Sequence, residues 1–178
     1  MWIHKSNVLQ GYFMHYIGID QSYTSTGYCI IDNDKIIDFG IYTSASTDIF
    51  QRAKDIGVQL TQLVNEYPGC LVSIEGLAFG MRGSATRDLA GLQFVIVDRL
   101  ISNTHIKEVE IISPKSIKKF ATGSGGSAKK KVTKKDMFNS LDEETQHLFK
   151  SRYKITKGLY DITDAYYLAR YHQSNNKE

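Results

Sequence analysis

The sequence predicts a mixed α/β fold, a five-stranded sheet flanked by helices on both faces. Three observations carry that expectation. Short apolar runs alternate with longer segments of three- and four-residue apolar period after an opening hairpin. Turn and capping residues fall between those segments. The length of 178 residues, with 42% hydrophobic and 23% charged, suits one ordinary globular domain and excludes wholesale disorder.

Met1 to Phe13 fit no clear period and read as a loose extension, residues 1–13, ahead of a domain spanning 14–178. Tyr16 to Asp20 is a short apolar strand that ends in an acid. Gly27 to Asp32 and Lys35 to Tyr42 are strands joined at Asn33-Asp34, a hairpin turn. Ile49, Phe50, Ala53, Ile56, Leu60, Leu63 and Val64 recur at helical steps until Pro68-Gly69. Cys70 to Glu75 is a fourth strand, again closed by an acid. Leu89 to Ile101 predicts a helix whose apolar positions exceed the single stripe that faces a sheet, which means deep burial or a contact between two copies. Val109 to Ile112 is the fifth strand. Ser113-Pro114 then caps and starts a helix that Gly123 to Ser127 interrupts, and further helices are expected over Lys130 to Leu141, Glu143 to Phe149 and Leu159 to His172.

Composition narrows the classes. No stretch reaches the ~18 apolar residues of a membrane span, and Phe94 to Val97 stops at Asp98. The start lacks the basic and apolar regions of a secretory leader. Cys29 and Cys70 sit in strand-like runs and read as buried thiols of a reducing cytoplasm. The net charge of +3 hides an asymmetry: Ile112 to Lys135 holds eight lysines and no acid, leaving 14 bases and 19 acids elsewhere. That block is either a solvated face or an anion-binding one, with nucleic acid the usual large partner.

The acids point to chemistry. Asp20 and Glu75 close two strands, and Asp161 and Asp164 stand three apart on one face of the last helix. Neighbouring strand ends with that helix across them would gather four carboxylates. Such a cluster repels itself unless cations neutralise it, and Mg²⁺ prefers oxygen ligands. Two ions about 4 Å apart suit phosphodiester hydrolysis. Each acid alone is otherwise an ordinary strand end or surface group. The five histidines show no zinc-ligand spacing, and the tyrosines of the last helix read as core.

Tyr16-Ile17-Gly18-Ile19-Asp20-Gln21-Ser22-Tyr23-Thr24-Ser25-Thr26-Gly27 resembles the opening motif of the RuvC-type Holliday junction resolvases, of the RNase H-like nuclease superfamily. Ser73-Ile74-Glu75-Gly76 resembles the second strand of that family, and Gly158 to Ala165 its final helix. Ile117-Lys118-Lys119 and Gly123-Ser124-Gly125 resemble its basic helix and Gly-rich loop. The resemblance runs from Tyr16 to His172, with the four motifs in order. It implies an RNase H-like fold and a metal-dependent endonuclease that resolves four-way junctions by paired nicks. Mg²⁺, with Mn²⁺ able to substitute, is implied as the cofactor, two ions to a site.

By the same resemblance Asp20, Glu75, Asp161 and Asp164 are the metal ligands, and Lys118 and Lys129 the lysines at the phosphate, with Lys130 an equal choice for the second. Lys115, Lys118, Lys119, Gly123, Ser124, Gly125, Lys129, Lys130, Lys131, Phe79 and Arg82 are the implied DNA contacts. Gln21-Ser22 departs from the Pro-Gly often found after the first aspartate, and Gly76 from a frequent Gln. Phe79 falls one position beyond the family's aromatic. The implied partner is branched DNA (a four-way junction, or flaps and Y-forks), met by a homodimer through Leu89 to Ile101 in the cytoplasm of a bacterial or phage-infected cell. Rival readings are a branched-DNA-binding protein without catalysis and an RNase H-like nuclease for RNA–DNA hybrids or flaps. An ATPase of the sugar-kinase type needs two such domains, which 178 residues do not supply.

Overall fold

The computed structural model describes residues 14–77, 83–126, 131–154 and 156–176. Its strands are β1 (Tyr16–Asp20), β2 (Thr26–Asp32), β3 (Lys35–Tyr42), β4 (Leu71–Glu75) and β5 (Glu108–Ile112). Its helices are α1 (Ile49–Asn65), α2 (Ser84–Asn103), α3 (Pro114–Thr122), α4 (Lys134–Asn139), α5 (Glu143–Arg152) and α6 (Thr156–Asn175). The strands form one sheet in the order β3-β2-β1-β4-β5, antiparallel among the first three and parallel from β1 to β5. The expected mixed five-stranded sheet is therefore present. Asn33 and Asp34 take the positive φ values of 45° and 69° that a tight hairpin turn requires.

Strict alternation along the strands assigns their faces. Ile17 and Ile19 of β1, Ile30 of β2 and Val72 and Ile74 of β4 face α1 and α2, where Ile56, Leu60, Leu92, Ile96 and Leu100 complete one core. Tyr16, Cys29, Ile31, Phe39 and Leu71 face the other way, against Ile162, Ala165 and Leu168 of α6 and Ile117 of α3. Asp20 and Glu75 follow the second set, so both turn toward α6. Both cysteines are buried and unpaired, and burial pushes the Cys70 thiol up to about 11.

The helix ends match the signals in the chain. Ser113 caps α3 with Pro114 behind it, and Gly123 closes that helix in the left-handed region at φ 74°, returning its N–H to Lys119. The helix expected from Lys130 to Leu141 is shorter, Lys134–Asn139, because a reciprocal capping box of Thr133 and Asp136 sets its start. Conversely, α2 and α6 begin several residues earlier than apolar periodicity marks, since their first turns carry few apolar residues. No helix among the described residues is long and apolar enough to cross a membrane.

Two glycines set how closely α6 approaches the sheet. A Cβ on Gly18 would run into the carbonyl of Ala165 and reach the amide nitrogen of Ala169 at 2.7 Å. On Gly27 it would meet the carbonyl carbon of Asp161 at 2.6 Å. Backbone leaves no soft neighbour to yield. Gly18→Ala should therefore cost about 3 kcal/mol or more, at the upper end of overpacking penalties. Chemical denaturation should show it as a lower midpoint, whereas Gly91→Ala, whose Cβ would meet only the Tyr23 hydroxyl at 3.8 Å, should be tolerated.

Candidate functional site

The site follows from pairing and packing. Asp20 pairs across β1 and β2 with Gly27, and the backbone of Asp161 lies over Gly27, so Asp161 comes to rest beside Asp20. Glu75 ends β4, which runs parallel to β1 with Ile19 opposite Ile74, and so stands next to Asp20 at the carboxyl edge of the parallel strands. Asp164, one turn along α6 from Asp161, faces the same cluster. Asp20, Asp161 and Asp164 are buried and Glu75 half-buried.

The cation at the centre is Lys134, at the start of α4. Its Nζ stands 2.7 Å from Asp164 Oδ2 and 3.5 Å from both Asp20 Oδ2 and Asp161 Oδ1. Burial works against its charge, yet Asp20, Asp164 and Asp161 hold the ammonium well above its ordinary pKa. Sequence reasoning counted Lys134 only within the basic block. The signal that locates it is Thr133-x-x-Asp136, the capping box that puts Lys134 at the first turn of a helix. Lys129 and Lys130 lie outside the described residues, as do Phe79 and Arg82.

Burial, followed by Asp164 as the nearest like charge, raises Asp20 well above the usual carboxylate range. Burial and Asp164 likewise push Glu75 up to about 7, against the pull of Lys134 and Lys118. Asp164 is raised by burial while Lys134 and Lys118 draw it down. Lys118, on α3, is thus close enough to act on two of the acids, Glu75 and Asp164.

Several polar side chains fix this geometry. Ser25 Oγ donates to Asp161 Oδ2 at 2.6 Å, within the buried interior. Gln21 Nε2 and Gln93 Nε2 both donate to the Glu75 carbonyl, at 3.0 and 3.1 Å. A proline at position 21 could make no such bond, so the departure Gln21 is a tie between β1 and β4 and not merely a different turn. None of these three contacts was legible beforehand, because each joins residues distant in the chain.

Lys115, Lys119 and Lys131 are exposed, and the Lys115 stem lies along Gly125. Ser124 is tied into its own turn, accepting from Gly126 N–H and presenting its carbonyl to Thr122 Oγ1, so the described part of the Gly-rich segment is a built loop.

All four acids offer only oxygen, the donor type that hard divalent cations prefer. Asp164 Oδ1 is buried with no hydrogen-bond partner, an acceptor that a cation would satisfy. Among the described residues no three acids, imidazoles or thiols are already drawn together at ligating geometry; the carboxylates surround the Lys134 ammonium. The donor set thus fits a divalent ion with modest side-chain adjustment.

Acids at the carboxyl ends of adjacent parallel strands, completed by a helix across a mixed five-stranded sheet, define the class as an RNase H-like nuclease fold. A family model described as crossover junction endodeoxyribonuclease RuvC matches residues 16–167. The chain belongs to that RuvC family. The crossover junction endodeoxyribonuclease RuvC of Alkaliphilus metalliredigens (strain QYMF) is 32% identical over 121 residues, 65% of this chain and 73% of that protein. In fold the chain is similar to Thermus thermophilus RuvC, with a TM-score of 0.58 at 14% identity, over 91% of this chain and 96% of that one. It is likewise similar to T. thermophilus RuvC in complex with a Holliday junction substrate, with a TM-score of 0.61 at 11% identity, over 90% and 93% of the two chains.

The raised ionisation of Glu75 has a stability consequence. A carboxyl that keeps its proton up to about 7 when folded, against an ordinary 4.5, binds more protons folded than unfolded between those values. Its contribution to stability is therefore lost as pH rises through that window. In chelating buffer, Glu75→Gln should melt increasingly above the wild type as pH goes from 4.5 to 7, a gap that thermal scans would record.

Proposed function

We propose that this chain is a metal-dependent endonuclease that resolves four-way DNA junctions by paired nicks, with residues 14–178 as the nuclease unit. The observation that carries the reading is the convergence of Asp20, Asp161 and Asp164 on Lys134, with Glu75 at the adjacent strand end, in a member of the RuvC family. The RuvC family is one of metal-dependent nucleases, and Mg²⁺, two ions to a site, is the cofactor that best suits these donors. When bound, such ions lower the pKa of a water and neutralise charge on the leaving oxygen of the phosphodiester.

The chain's own residues have distinct parts in that reading. Asp20, Glu75, Asp161 and Asp164 would hold the ions, which would supply the charge neutralisation that this reading requires. Lys134 balances the buried carboxylates, then meets the extra negative charge of the phosphate as it is attacked. Lys118 assists from α3, and by the family resemblance Lys129, with Lys130 an equal choice, is the second lysine at the phosphate. Lys115, Lys119 and Lys131, with Gly123, Ser124 and Gly125, line the DNA path, joined by Phe79 and Arg82 from the loop after Glu75. By family resemblance the cut leaves a 5′-phosphate and a 3′-hydroxyl.

Paired nicks need two sites, one for each opposed strand, and a two-fold dimer supplies them. Within Leu89 to Ile101, Leu92, Ile96 and Leu100 are buried in the sheet-facing core, while Phe94 and Ile101, seven apart on the other side, are 77% and 63% exposed. That second apolar side of α2 suits the contact between copies. The setting is the cytoplasm of a bacterial or phage-infected cell, a reducing compartment that suits two buried free thiols.

Labelled four-way junction, flap and linear duplex, incubated with and without Mg²⁺, test this reading. The expected result is metal-dependent paired nicks in the junction, abolished in Asp161→Asn; tight junction binding without cutting in Mg²⁺ or Mn²⁺ would overturn it. Lys134→Met should lower the cleavage rate at least ~100-fold, the scale of losing one group that stabilises developing charge. Ser25→Ala should lower activity or apparent Mg²⁺ affinity ~10–100-fold by freeing Asp161, with Ser25→Thr restoring part of it. Sedimentation showing a monomer at working concentration would remove the dimer.

A further inference from the structure

A second opening adjoins the carboxylate centre. It is a cavity of about 530 Å³ between the β2–β3 end of the sheet and the segment joining α5 to α6. That is within the ~300–1,000 Å³ of small-molecule sites. Ser25 forms part of its wall, the same residue whose hydroxyl donates to Asp161, so one side chain separates the cavity from the acids. Ile41 and the Tyr153 ring supply apolar surface, Thr43 a hydroxyl, and Arg152 and Lys154 positive charge.

Its electrostatics set it apart from the larger opening under Asp34, Asp142, Glu144 and Arg170, where carboxylates outnumber cations. Among the described residues no carboxylate lines the cavity beside the acids. Asp38 of β3 is held by Arg152 Nη1 at 2.9 Å and by the Tyr28 hydroxyl at 2.9 Å. Arg152 is further fixed over the Phe39 ring, 4.1 Å from its centroid, which leaves the exposed Lys154 as the cation facing outward. Gly158 keeps the apolar wall open: a Cβ there would meet Ile41 Cδ1 at 2.7 Å and Tyr153 Cδ1 at 3.3 Å.

We propose that this cavity is a nucleotide subsite that takes a base of the cut strand close to the scissile phosphate. The base stacks on Tyr153 and against Ile41, the hydroxyl of Thr43 offers a hydrogen bond to its edge, and Lys154 meets its phosphate. Bases at a branch point are already partly unstacked, which makes such capture inexpensive, and an aromatic ring receives any base face. The inference rests on the acids being the DNA-cutting centre, and it assigns to this chain a means of favouring some cut positions over others.

The test uses the full chain as wild type, Tyr153→Ala, Tyr153→Phe and Lys154→Glu, on junctions in which single nucleotides near the cut are varied or made abasic. Lys154→Glu and Tyr153→Ala should raise KM roughly tenfold with kcat largely kept, the scale of one stacked base. Tyr153→Ala should also flatten the distribution of cut positions, while Tyr153→Phe retains it. One abasic position should harm the wild type and leave Tyr153→Ala unaffected. Wild-type KM and cut distribution in both Tyr153→Ala and Lys154→Glu would overturn the proposal. Should Tyr153→Ala fail to fold, the exposed change Lys154→Glu with the abasic series decides alone. Fluorescence anisotropy in chelator separates the two levels of inference. If the wild type binds junction but never cuts, a loss of affinity on abasic substitution that Lys154→Glu also produces sustains the subsite while the nuclease reading falls.

Discussion

Everything at the centre depends on how near the backbone of α6 lies to the sheet. Gly18 and Gly27 have no side chain on the face that α6 covers, and the helix answers with Asp161, Ala165 and Ala169 along the touching stripe. Hydrophobic burial of Ile162 and Leu168 provides the attraction. The glycines set the distance at which it stops. At an ordinary spacing the carboxylates of α6 would sit too far from Asp20 to share one cation, and Lys134 could not reach three acids from one position.

That close approach makes the site costly for the fold. Three buried acids and a half-buried fourth lose hydration, and the raised ionisation of Asp20, Glu75 and Asp164 records the strain of like charges held together. Lys134 relieves part of it, and the donors on Asp161 and the Glu75 backbone restrict how the acids can turn away. A centre of this kind exchanges native stability for pre-organised negative charge. Lys115, Lys119 and Lys131 of the basic block are exposed, a charge opposite to that of the acid cluster.

The local rules of the chain were readable where short-range physics decides. Strand alternation, the Asn33-Asp34 turn, the Ser113-Pro114 start and the Gly123 stop each depend on neighbours in sequence, and each is found in the structure. The four acids were legible as a set because two close strands and two share a helical face. Lys134 was hidden inside a run of similar lysines, where only the cap at Thr133 distinguishes it. Ser25, Gln21 and Gln93 were beyond reach, since their roles arise from residues brought together by the tertiary fold. The same holds for the wall made by Ile41 and Tyr153, which comes from a strand and a helix end far apart along the chain.

The route of the chain through this site orders events during synthesis. Asp20 and Glu75 emerge in the first half, but their partners ride on α6, and the Ser25–Asp161 bond spans 136 positions. A nascent chain that has emerged only through α5 therefore displays two of the four acids and an uncovered sheet face. Such non-local closure is slow to form. It also means that the acid cluster exists only once the last helix has docked, as a property of the finished molecule and of no fragment that ends before α6.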